Sequence, residues 1–283
     1  MVMGWRDSEE INLNSKQFTN SWLSGERVGI LYILYRWFLS VFFIVSIIQS
    51  VVASTIYFLD KSEPENVYKY FIYLTNNGRW LACLAYSVEA GLVTGRFYQE
   101  KKGIYKECID EGEYTLPFYI KISWFLNNCT SSISVLICTV YWTLLYNAER
   151  QRLDFENFSG HLLTAIVSFI DICVSDRPWI LLHSLQPVLF CIIYCFFSLI
   201  YFMTGGTNYY GKPYVYNILD WRSPWKTLGI VFLVTIALII IHSTFYAIFR
   251  CRVFLKKKYN PRNECSRGTT DQTKETLHVQ NII

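Results

Sequence analysis

The chain has 283 residues, of which 52% are hydrophobic, 18% aromatic and 17% charged, and its formal net charge is +4. Soluble domains carry about 25% charged residues, so this diluted charge, with 9 Trp, 21 Tyr and 20 Phe, excludes a disordered chain, a collagen, a coiled coil and a disulfide scaffold. A compact soluble enzyme and a multi-pass membrane protein remain, and the placement of the charges separates them.

Residues 1–36 read as a polar, cytoplasmic N-terminal segment without a cleavable signal peptide, so the first apolar run is expected to anchor itself. Trp37 to Leu59 follows as 23 residues free of charge, and a membrane helix needs roughly 20. The second segment, Tyr70 to Thr94, contains Arg79 and Glu89. The third, Ile122 to Tyr146, is uncharged but carries Asn127, Asn128 and a Ser/Thr run, small polar residues that suit close helix packing in lipid. The fourth, Phe158 to Val174, is short and holds His161 and Asp171. Gln186 to Thr204 is 19 residues without charge, and Leu228 to Phe249 is 22 with His242 as its one ionisable group.

Only helices or closed barrels satisfy the backbone in lipid, and the dyad alternation of barrel strands is absent. The sequence therefore predicts an all-α, polytopic bundle of about six spans: 37–59, 70–94, 122–146, 158–174, 186–204 and 228–249. These make up a transmembrane domain over 37–250, followed by a basic tail, 251–283, of disordered composition.

Lysine and arginine orient the bundle. With the N-terminus inside, seventeen fall in inner segments and seven in outer ones, which predicts that both termini are cytoplasmic. The positive charge is thus a topology signal and not a nucleic-acid one. Of the nine cysteines, Cys83, Cys129, Cys138, Cys173, Cys191 and Cys195 lie in predicted spans, and Cys108, Cys251 and Cys265 on the inner side. None is in an outer loop and no C-x-x-C pair occurs, so neither a disulfide framework nor a metal site is expected. Cys251, just past the last span, is a candidate for palmitoylation. The sequon at Asn157 abuts the membrane and is expected to be unused. No nucleotide or cofactor motif appears, so no cofactor is implied, and nothing in the sequence sets an oligomeric state.

Polar groups at membrane depth are costly and are functional candidates. On this topology Thr75 and His161 enter the same leaflet at similar depth. If their helices are neighbours, His161 could act as general base toward Thr75 as nucleophile. Arg79, one turn beyond Thr75, and Asn76 could then hold an oxyanion or a head group. Asp171 lies ten residues past His161, about 15 Å deeper, and is expected to pair with Arg79, while Glu89 is expected to meet Arg177. The simpler alternative is that Thr75 bonds its own i−4 carbonyl and His161 is an interfacial residue.

Three blocks carry a resemblance: KYFIYLTNNGRW (Lys69 to Trp80), NFSGHLLTAIVSFIDICVSDRPWILLHSLQP (Asn157 to Pro187) and GGTNYYGKPYVYNILDWRSP (Gly205 to Pro224). Through them the chain resembles the rolling stone family of insect membrane proteins, over about residues 20 to 256. That resemblance implies a role in cell–cell fusion of myoblasts or in muscle development, through protein or lipid partners, at the plasma membrane rather than the endoplasmic reticulum. Members usually read Thr-Asn-Trp where this chain has Thr75-Asn76-Asn77. A more distant similarity is to the androgen-induced-gene family, which resembles intramembrane threonine hydrolases acting on fatty acid esters of hydroxy fatty acids. It implies Thr75 as nucleophile and His161 as base, with Asp171 in support. Two functions therefore stay open: a non-enzymatic fusion protein and a hydrolase of lipid esters.

Overall fold

A computed structural model describes residues 15–24, 27–106, 109–110, 113–114, 116–146 and 155–259. The basic tail beyond Tyr259, with Cys265, and the loop position Cys108 lie outside the described residues. Six long helical rods run back and forth: α1 (Ile30–Asp60), α2 (Leu74–Lys101), α3 (Phe118–Leu145), α4 (Phe155–Val174), α5 (Leu181–Met203) and α6 (Pro224–Tyr259). Two of them contain a π-helical turn, Tyr141–Leu145 at the end of α3 and Ser159–Leu163 within α4. The remaining regular structure among the described residues is two 3₁₀ segments, Ser15–Thr19 and Pro64–Ile72, and a short pairing of Ile109–Asp110 with Glu113–Tyr114.

All the rods except α2 are long and apolar enough to cross a membrane. α2 differs because Arg79, Glu89, Arg96, Glu100 and Lys101 lower its hydropathy. It is nevertheless deep in the bundle, packed between α1 and α3, and Arg79, Glu89 and Arg96 are all buried. Its contact face is small: Gly78, Ala82 and Ala85 are buried, and a Cβ on Gly78 would come within 2.8 Å of Ile137 Cδ1. Small residues at this spacing let helix backbones approach closely where no water drives association.

α3 is the axial helix. It touches α2, α4, α5 and α6, and every residue from Leu126 to Ser134 is buried. A helix buried all round must satisfy its polar groups internally. Ser132 Oγ donates to His242 Nδ1 (3.2 Å) on α6, whose Nε2–H donates to the Ile180 carbonyl (3.0 Å). Asn128 Nδ2 lies 3.0 Å from Gln186 Oε1 and 3.1 Å from His183 Nδ1. The apolar core around this axis joins Ile133, Leu136 and Ile137 to Val188, Cys191 and Leu238.

The helix ends gather into two layers. At one, called here the terminal end, residues 15–24 pack on the end of α2, the start of α3 and the 175–180 segment, and the end of α6 joins them through Arg252 bonded to Ile172 O. The last carbonyls of α4, which have no partner within the helix, are all taken up there. Ser21 Oγ donates to Val174 O (2.7 Å), Trp22 Nε1 to Cys173 O, and Arg252 Nη1 to Ile172 O (2.7 Å). At the opposite, loop end, the 204–223 segment folds over the bundle. Tyr209 hydrogen-bonds Ser54 (2.9 Å) and packs edge-on against Phe58 and Tyr73, and Lys69 Nζ donates to Thr207 Oγ1 (3.0 Å). Gly205, at φ +78°, takes the left-handed position just past α5 that a Cβ would disfavour.

The helices outrun the charge-free runs. α1 begins at Ile30, six residues before Arg36, because that arginine is buried among partners rather than marking a helix end. Tyr70 to Ile72, expected to open the second span, instead belong to a 3₁₀ segment, Pro64–Ile72, and α2 starts at Leu74.

Candidate functional site

Two polar centres occupy the bundle. The first lies toward the loop end and holds the residues singled out in sequence. Thr75 sits in the first turn of α2, half-buried, where its side chain meets Tyr216 of the covering loop; the Tyr216 hydroxyl also accepts from Leu74 N–H (3.0 Å). Thr75, Tyr216, Tyr194 and Tyr141 together line a cavity of about 70 Å³ whose other walls are almost wholly apolar. Asn76 does not face a ligand space: its Nδ2 donates to Tyr70 O (2.7 Å), tying the 3₁₀ segment to α2. Asn77 does the same to Phe71 O (3.2 Å).

His161 lies in the π turn of α4, flat against Tyr141 in the π turn of α3, and its Nδ1 is buried with no hydrogen-bond partner. Such turns widen a helix by one residue and recur at functional sites. Tyr141 OH donates to Asn157 Oδ1 (2.5 Å). Among the described residues no hydrogen bond joins Thr75 to His161. The Tyr141 ring touches both sides, lining the Thr75 cavity and stacking on His161.

Arg79 is 2% exposed and is engaged by Glu156, through Oε1 (2.5 Å) and the backbone carbonyl (2.9 Å). Ser50 of α1 donates to the same Glu156 oxygen (2.8 Å). The guanidinium lies directly over Gly160, where a Cβ would overlap Nη2. The carboxylate facing Arg79 is thus supplied by the chain itself.

The second centre lies toward the terminal end and is a closed ring of four charges. Arg36 Nη1 contacts Glu89 Oε2 (2.8 Å) and Asp171 Oδ1, and Arg177 Nη2 contacts Glu89 Oε1 (2.7 Å) and Asp171 Oδ2 (2.8 Å). All four residues are at most 3% exposed. Arg36 also donates to Tyr32 OH (2.5 Å), and Tyr35 OH donates to Asp171 (3.3 Å). Two carboxylates and two guanidiniums cancel in charge, and each carboxylate bridges both cations. That arrangement offsets part of the large desolvation cost of burying ions.

Asp171 therefore does not pair with Arg79, as the sequence suggested. α2 and α4 run in the same direction, so residues equally far along them lie level. Glu89 and Asp171 are fifteen and sixteen residues into their helices, whereas Arg79 is level with Gly160 and His161. The expected meeting of Glu89 with Arg177 is present. Sequence reasoning missed Arg36, Glu156, Tyr141 and Tyr216 as members of these centres. Arg36 carried a signal, one turn from Tyr32 on the edge of an apolar run; Glu156 stood outside the predicted span and carried none.

Buried charges compensated within a bundle of lipid-length helices define a polytopic α-helical membrane protein. The family model described as Protein rolling stone matches residues 11–264. Protein rolling stone of Drosophila melanogaster is 31% identical over 211 residues, covering 73% of this chain and 72% of that protein. The chain belongs to the rolling stone family. No solved structure matches it.

Proposed function

We propose that this chain acts as a six-span plasma-membrane protein, both termini cytoplasmic, in cell–cell fusion of the myoblast type through protein or lipid partners. Family membership over most of the chain carries this reading. α2 serves as the sixth span because its buried charges meet protein rather than lipid: Arg79 meets Glu156, Glu89 meets two arginines, and Arg96 meets Glu100. Orientation follows from the excess of Lys and Arg at the terminal end. The test is depletion of the protein from cultured myoblasts, with rescue by the intact chain. Fewer multinucleate cells, restored on rescue, are expected; an unchanged fusion index overturns the fusion role.

A second reading, an intramembrane lipid-ester hydrolase, is favoured by one observation: Tyr141 lines the Thr75 cavity and stacks on an imidazole whose Nδ1 is unpartnered. In it Thr75 is the nucleophile and His161 the base. A fluorophosphonate probe on the purified protein checks it. Labelling that survives both Thr75→Ala and His161→Ala overturns it.

A further inference from the structure

The cavity beside Thr75 borders an apolar flank of the bundle. Its lining combines buried Ile137, Cys191 and Tyr194 with half-buried Leu145, Ile230 and Val231, which stand at the end of α3 and the start of α6. Neighbouring side chains Leu144, Phe232 and Leu233 are exposed, so this flank is apolar.

An apolar cavity does not hold water; an engineered one of about 150 Å³ stays dry and takes up benzene. At about 70 Å³, this cavity is too small for the fused rings of a sterol but fits the end of one hydrocarbon chain. We propose that it is a binding site for the terminal methylenes of a single lipid acyl chain, entering sideways from the leaflet at the loop end. The chain comes from lipid and not from water, so the gain is dispersion contact with the cavity wall. The site does not require hydrolysis, since its apolar walls are complete without the Thr75 hydroxyl.

The test uses the full chain in phosphatidylcholine nanodiscs, irradiated with a palmitic acid carrying a diazirine near its methyl end. Adducts are expected to concentrate on the turn with Cys191 and Cys195 and on Ile230 to Val234. Val234→Phe, which fills the cavity, should cut them to the level found on the exposed helix faces. Excess unlabelled palmitic acid should do likewise on the unmodified protein, which decides the matter if the variant fails to fold. Adducts spread evenly over the exposed helix faces, adducts that resist competition, or equal labelling of the same segments by a diazirine sterol would each overturn the proposal. Thr75→Ala should keep the adducts even where it abolishes fluorophosphonate labelling, so failure of the hydrolase reading and failure of the lipid site give different results.

Discussion

The imidazole of His161 lies parallel to the phenol ring of Tyr141, with centroids 3.4 Å apart and planes within 1°. Each ring stands on a π-helical turn, so the extra residue in α3 and the extra residue in α4 bring them face to face. The same Tyr141 ring lines the Thr75 cavity, so it borders both the cavity and His161. Tyr141→Phe keeps the ring but loses the hydrogen bond to Asn157, an expected cost of about 1 kcal/mol. Tyr141→Ala removes the wall and should cost about 3–5 kcal/mol. Thermal unfolding in detergent checks both, and equal stability of the two variants would show that the ring does not carry the contact.

The four-charge ring should behave as a unit. Arg177→Met leaves Glu89 and Asp171 short of a cation and is expected to destabilise by about 3–5 kcal/mol. Adding Glu89→Leu restores charge balance, with Arg36 and Asp171 still paired, and should recover part of that loss. A double-mutant cycle read by denaturant unfolding measures the coupling. Simple additivity of the two substitutions would contradict a closed ring.

Two glycines should respond oppositely to alanine. At Gly160 the new methyl meets the Arg79 guanidinium, so Gly160→Ala is expected to cost about 1–3 kcal/mol by displacing a buried ion pair. At Gly95, inside α2, a Cβ meets nothing within 4 Å, and Gly95→Ala should stabilise by about 0.5–1 kcal/mol. Melting temperatures of the two variants, moving in opposite directions, are the expected result.

Asp220 and Arg222 form an exposed pair in the covering loop, with Arg222 Nη2 2.6 Å from Asp220 Oδ2. The Arg222 hydrogen bonds hold the Asp220 carboxyl below the usual aspartate range. A lowered carboxyl contributes stability above its unfolded value, and that contribution is lost as pH falls through the lowered one. Titration of the Asp220 carboxyl carbon by NMR should show the depression, and Arg222→Ala should remove it. High salt should weaken it, since both groups face solvent.

Some of these contacts were legible in the chain and others were not. Trp37 to Leu59 announced a helix because a run of apolar residues as long as a bilayer is thick has few other structures open to it. The same logic nearly hid α2, whose charges depress its hydropathy although they never leave the interior. Glu89 and Arg177 could be matched because both fell near the same predicted interface. Asp171 was matched wrongly, because which residues of α2 and α4 lie level depends on where each helix begins.

By itself the sequence determined that the described chain is built mainly of lipid-length helical rods and which residues break their apolar surface. Those properties follow from composition along one dimension, where hydrocarbon thickness and the rise of a helix set the scale. Only the tertiary structure decided partners. Arg36 answers to Glu89 and Asp171, Arg79 answers to Glu156, and His161 rests on Tyr141 rather than bonding Thr75. The reason is geometric: a charge in a low-dielectric interior takes whatever opposite charge lies level on the neighbouring helix, and levels and neighbours are fixed by packing around α3.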